Sequence, residues 1–319
     1  MTNQPRVTVG VDLGGTKVET AVVDDGGRVV ASRRHATDPD SGYRAVIGAI
    51  IESVTGFVGS YPVRGVGIGV AGQIDSSSGT VRFAPNLKWT DVPLGPEVNK
   101  ALNLPTAVIN DVQAAAWGEF THGAGKRATD MVALFVGTGI GGGIVEGGRL
   151  LRGEAGAAGE LGHATVVAGG RKCHCPNHGC LEAYAGGWAI ADRAREAIAR
   201  DAPAGRMLVG LAGSPENITA ALISQAYHDA DPLSVQIIEE TGRYLAAGIV
   251  SIVNGLNPSI LILGGGIIEG TPELVGIIEP QVRASALQVA LERFEISSAA
   301  LGKDAGVIGA AAIAMSLES

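Results

Sequence analysis

The chain has 319 residues, 46% of them hydrophobic and 18% charged, with a net charge of −8. That suffices for about two domains with buried cores; it excludes a disordered chain and argues against a general nucleic-acid binder. Glycine accounts for 48 residues, about twice its ordinary share of ~7%. With no Gly-X-Y period and only 14 prolines, collagen is excluded, so many backbone positions must need positive φ or the absence of a side chain.

No apolar run reaches about 18 residues, so no membrane span is expected. The N-terminal sequence runs straight into a strand pattern without an apolar leader, which predicts a cytoplasmic protein. Short β-branched strands are predicted at 6–11, 18–23 and 28–33, the last two joined by Asp24-Asp25-Gly26-Gly27, a hairpin turn. A helix follows at 42–58, a Gly-laced strand at 63–71, a turn at 75–79, a strand at 106–109 and a helix at 111–120.

The pattern then restarts: strand 131–136, glycine turn 137–143, strand 144–146, Gly147-Gly148, strand 149–151. The unit "strand, Gly/Thr turn, strand, Gly turn, strand" thus begins near Asp12 and again near Gly137. Such a repeat predicts two similar α/β halves, each presenting a glycine turn. Helices are predicted at 183–200, 215–228, 232–254, 272–288 and 306–317, with Pro232 and Pro272 suited to first turns. A strand at 259–263 runs into Gly264-Gly265-Gly266.

In Asp12-Leu-Gly14-Gly15-Thr16-Lys17, glycines let backbone N–H groups approach a phosphate, Thr16 adds a hydroxyl, and the carboxylate suits Mg²⁺. An ordinary hairpin would read the same. Gly137-Thr138-Gly139 repeats the chemistry in the duplicated frame, which favours nucleotide binding. There is no P-loop motif. Gly67-x-Gly69-x-x-Gly72 leads into a turn, not a helix, and so fails as a dinucleotide site. Asp111 follows a strand and opens a helix; it reads either as an N-cap or as a general base at a strand's carboxyl end.

Cys173, Cys175 and Cys180 cluster at C-x-C-x₄-C spacing. With His163 (or His174 or His178) they make four soft or borderline ligands, suited to a closed tetrahedral Zn²⁺. Such a closed site would be structural and would fix the loop carrying Glu160 and Glu182; zinc-activated water is the competing reading.

Taken together these segments resemble the ROK family of sugar kinases and repressors, from Val9 to the C-terminal helix. The likeness lies in Asp12–Lys17, Gly137–Gly143, Leu263–Gly266, Glu160-x-Gly-His163 and the cysteine segment ending in Glu182. The loop Ala84-Pro-Asn86-Leu with Trp89 is similar to that of the family's bacterial glucokinases. Ala71 and Pro176 stand where the family usually has proline and glycine.

The resemblance implies an actin/hexokinase-like ATPase fold, two duplicated α/β domains around a cleft. The smaller is expected at 1–120 with the helix 305–319 packed back on it, the larger at 121–304 with the zinc loop. It also implies transfer of the ATP γ-phosphate to the 6-hydroxyl of glucose, with Asp111 as base. Asn86, Asn110, Glu160, His163 and Glu182 would hold sugar hydroxyls beside Asp111. Asp12, Gly14, Gly15, Thr16, Lys17, Gly137, Thr138, Gly139, Gly264, Gly265 and Gly266 would hold the nucleotide. His163, Cys173, Cys175 and Cys180 would bind structural zinc. The expected ligands are ATP, Mg²⁺, Zn²⁺ and a sugar, with no nucleic acid or membrane partner, in a homodimer or homotetramer. Alternatives within the family are N-acetylmannosamine, N-acetylglucosamine, mannose, allose or fructose as acceptor, polyphosphate as donor, or a sugar-sensing repressor. The eight or so residues before the first motif leave no room for a repressor's helix-turn-helix.

Overall fold

The computed structural model describes residues 6–318. The chain forms two compact units. The first takes the described residues up to Thr129, Gly143–Gly159 and those from Ala300 onward; the second takes Asp130–Gly142 and Glu160–Ala299.

Strands β1 (Val7–Leu13), β2 (Lys17–Asp24), β3 (Val29–Ala36), β4 (Val63–Val70), β5 (Gln73–Asp75), β6 (Thr80–Ala84), β7 (Trp89–Val92) and β8 (Thr106–Asn110) precede β9 (Met131–Val136), β10 (Ile140–Glu146), β11 (Arg149–Leu150), β12 (Ile260–Gly264) and β13 (Glu295–Ser298). One sheet has the order β3-β2-β1-β4-β8, another β11-β10-β9-β12-β13; a small sheet is β5-β6-β7. The two large sheets have the same connectivity, as the repeated motif predicts. In each, a hairpin edge leads into parallel strands.

Parallel pairing aligns the strand ends that matter. Leu13 pairs with Val70 and Val70 with Asn110, so β1, β4 and β8 finish side by side. Most residues of β1 and β4 are buried on both faces, which is why these strands read as apolar runs rather than as alternation. The helix Tyr43–Val58 covers one face with Val46, Ile47, Ile50, Val54 and Phe57, a single stripe at helical spacing.

The other face is covered differently. The helix Ala305–Met315 is buried almost all round and has little side-chain bulk. Its backbone lies directly on the strands and on the helix Asp111–Thr121. A Cβ at Gly10 would stand 1.9 Å from Val307 O, one at Gly67 1.7 Å from Ala310 O, and one at Gly309 1.7 Å from Ala114 O. Glycine at these places brings backbone onto backbone. A large share of the glycine excess is therefore packing and not turns.

Gly309→Ala is expected to destabilise the protein by about 1–3 kcal/mol through overpacking, although alanine is the better helix former by about 1 kcal/mol. A lower urea midpoint is the measurement; an unchanged or raised one would show that the helix shifts freely.

Several expected boundaries change. The glycine turn ends at Gly139, because Gly141–Gly143 lie inside β10. There Gly143 admits the helix Asp111–Thr121: its Cβ would stand 2.3 Å from Ala116 Cβ. The helix expected at 183–200 breaks at Gly186 into Glu182–Ala185 and Gly187–Arg200. The helices Leu94–Leu102 and Arg206–Ala212 and strands β6, β7 and β13 were not expected from the sequence.

Candidate functional site

In the first unit the turn after β1 is closed by the Gly14 N–H donating to Lys17 O at 3.0 Å. Gly15 lies against the loop after β6: a Cβ on it would stand 2.9 Å from Asn86 O. The phosphate-type turn and Asn86 are thus neighbours. Asp12 is the last residue but one of the same strand, half-buried, next to Gly306 at the start of the helix Ala305–Met315. Burial raises its carboxyl above the ordinary range, against the lowering by Lys17. Burial thus favours the protonated form relative to the unfolded chain, so the contribution of Asp12 to stability declines as pH rises through its titration range.

Asn110, not Asp111, is the N-cap of the helix Asp111–Thr121. Its Oδ1 accepts from Val112 N at 2.9 Å and Gln113 N at 3.1 Å, and its Nδ2 donates to Gly72 O at 3.2 Å. The cap reading of Asp111 is thereby corrected: Asp111 is the first helical residue, at the carboxyl end of β8, beside Gly69 of β4. Two further residues of this helix carry weight that spacing did not reveal. Gln113 Nε2 donates to Gly156 O (3.1 Å) and Ala158 O (2.7 Å), holding the loop before Glu160. The buried Glu119 carboxylate accepts from the backbone of Ala124, Ala300 and Leu301. Neither has a motif around it.

In the second unit, Gly137 N donates to Gly139 O at 2.9 Å, closing the turn. The start of the helix Gly187–Arg200 pins it: Gly187 N donates to Gly137 O (2.9 Å) and Trp188 N to Thr138 O (3.1 Å). Gly264 ends β12, and Gly265 has φ +90°, its would-be Cβ 2.6 Å from Val136 O. A cavity of about 550 Å³ is lined by Gly137, Thr138, Trp188, Arg195, Gly266 and Ile267 among others. It is of small-ligand size, and the two glycine segments meet at it.

Glu182 opens the helix Glu182–Ala185. Its Oε2 accepts from Ile140 N at 2.8 Å and its Oε1 from Trp188 Nε1 at 3.2 Å. Glu160 starts the turn Leu161–His163, its carbonyl accepting from His163 N at 3.1 Å.

The donor atoms of His163, Cys173, Cys175 and Cys180 all lie within 4.8 Å of one another. Cys173 Sγ is 3.6 Å from His163 Nδ1, and Cys175 Sγ is 3.6 Å from Cys180 Sγ. A zinc tetrahedron with Zn–S of about 2.3 Å has S···S edges of about 3.8 Å, so the donor set fits that ion; the separation is far too long for a disulfide. Burial pushes the Cys180 thiol up to about 12 and raises that of Cys173, while the Asn177 N–H lowers that of Cys175. Asn177 Nδ2 also donates to Cys180 Sγ at 3.5 Å. Pro176 has not displaced any of the four donors. Of the three candidate histidines, His163 joins the cluster. His174 instead stacks on Trp188, and His178 lies outside the donor set, its backbone forming a β-bridge with Lys172. With Nδ1 turned to the cysteines, His163 keeps Nε2 for a second partner.

A sequence model of the ROK family matches residues 8–316. The chain belongs to the ROK family. Among ROK relatives, the glucokinase of Streptomyces coelicolor is 36% identical over 97% of this chain and 97% of its own. The crystal structure of a ROK family glucokinase from Streptomyces griseus, in complex with glucose and AMPPNP, is 37% identical with a TM-score of 0.82. It matches over 97% of this chain and 99% of that one. The ROK hexokinase of Thermus thermophilus is 33% identical, with a TM-score of 0.84 over 98% of each chain. The repeated sheets of this ROK chain are those of the actin/hexokinase-like fold. Among the described residues no helix is long and apolar enough to cross a membrane.

Proposed function

We propose that this protein is a glucokinase, transferring the γ-phosphate of ATP to the 6-hydroxyl of glucose. One observation carries the reading. The chain matches, over 97% of its length, a glucokinase holding glucose and AMPPNP, and it keeps a carboxylate, Asp111, at the carboxyl end of β8.

A sugar hydroxyl is a weak nucleophile, so Asp111 accepts its proton as it attacks. Asn86, Glu160 and Glu182 bind other hydroxyls. Asn110 has one amide proton left after its cap and its bond to Gly72, so it serves as a donor only. His163 donates from Nε2 while Nδ1 faces the metal ligands.

The transferring phosphoryl group needs positive and N–H stabilisation more than covalent help. The turns at Gly14-Gly15-Thr16-Lys17 and Gly137-Thr138-Gly139 supply N–H and hydroxyl groups, and Asp12 binds the Mg²⁺ of Mg·ATP. Gly266 borders the cavity proposed for adenosine, and Gly264 and Gly265 lead into it from β12. Zinc on His163, Cys173, Cys175 and Cys180 would hold the loop that carries His163 and precedes Glu182; its chemistry there is structural.

The test is a coupled assay crossing glucose, mannose, allose, fructose, N-acetylglucosamine and N-acetylmannosamine with ATP and polyphosphate. Glucose with ATP is expected to give the highest kcat/KM. A kcat/KM at least tenfold higher for another acceptor or for polyphosphate overturns the assignment.

A further inference from the structure

We propose that His174 is a positioning residue that keys the metal-binding loop to the wall of the nucleotide cavity through Trp188. The proposal rests on the reading of that cavity as the nucleotide site.

His174 lies between two of the clustered cysteines yet contributes no atom to the donor set. Its ring faces Trp188, with centroids 4.0 Å apart and planes 23° from parallel. Trp188 is held from several sides. Its backbone N–H donates to Thr138 O, and its indole N–H to Glu182 Oε1. It packs, as Cys175 does, against the apolar cluster of Cys173, Cys180, Ala183 and Tyr184. Trp188 also lines the cavity beside Gly137, Thr138 and Ile267.

A tryptophan at the start of a helix has two side-chain torsions to fix. The packing and the N–H bond hold one edge of the indole; the histidine covers a face. Without that ring the indole can tilt toward the cavity that the nucleotide must enter. The chain thereby ties the arrangement of residues 173–175 to the shape of a pocket built from other segments. Glu182 has a second bond, from Ile140 N to its other carboxylate oxygen, so it is not held by the indole alone.

An aromatic pair of this kind corresponds to a two- to tenfold effect on a coupled equilibrium, roughly. The experiment is calorimetric titration of ADP into wild type, His174→Ala and His174→Phe, with zinc content measured on the same samples. His174→Ala is expected to weaken ADP binding by about two- to tenfold with zinc content unchanged, and His174→Phe to restore it. Unchanged ADP affinity in His174→Ala overturns the proposal. Loss of zinc from His174→Ala overturns it as well, since the residue would then act on the metal, and so does failure of His174→Phe to restore binding. A wild type that binds no ADP overturns the functional reading beneath it, a distinct result.

Discussion

Asp111→Asn is expected to lower kcat by about 10²- to 10⁴-fold, the usual contribution of a positioned general base. The change keeps the shape and a hydrogen-bonding group but removes the proton acceptor. The glucose KM should therefore move by only a few-fold, which separates loss of the base from loss of binding. The fold should survive the change, since Asn110 caps the helix, so thermal unfolding within about 2 °C of wild type is expected, corresponding to a surface-sized effect. A kcat within threefold of wild type would remove Asp111 from the role of base.

Loss of the metal site should have the largest effect on stability. Purified protein is expected to carry about one zinc per chain, as four-ligand sites of this kind do. Cys180→Ser should abolish that binding and cost several kcal/mol, on the order of what structural zinc contributes to folding. Cys180 is fully buried, and its thiol is held up to about 12, so without a metal it remains a neutral thiol with no cation to offset its neighbours. The measurement is metal analysis paired with calorimetry, with and without chelator. A metal-free wild type that melts at the same temperature as the loaded one would rule out a structural role.

The sheets were legible because parallel strands buried on both faces leave unbroken apolar runs such as Met131–Val136, and because the same turn chemistry occurs twice. The strand Glu295–Ser298 was not, since its four residues pair only along one edge and carry no apolar run. The helix Arg206–Ala212 is only seven residues long, too short for a clear period. In the site, the glycine turns, the cysteine spacing and Asp111 could be read from local chemistry, because each depends on residues close in sequence. What could not be read depends on the path of the chain. Whether Asn110 or Asp111 caps the helix is settled by where the strand stops. Which histidine joins the cysteines depends on how the loop returns, and His174 meets Trp188 only because it does. Glycines at turns and glycines under helices look alike in the sequence; Gly14 sits in a turn, whereas Gly10 and Gly67 sit in strands with a helix laid on them.

The helix laid on those glycines also bears on how the protein is made. Thr8 Oγ1 donates to Ala311 O across 303 residues, and at Gly10 and Gly67 the face of β1 and β4 is covered by the backbone of that helix. At ribosomal speeds the wait between the two segments is roughly 15–60 s. The usual order, in which the N-terminal part settles first, does not hold for this unit. Its first strands leave the ribosome early and must wait, with bare backbone on one side, for the last helix to be synthesised.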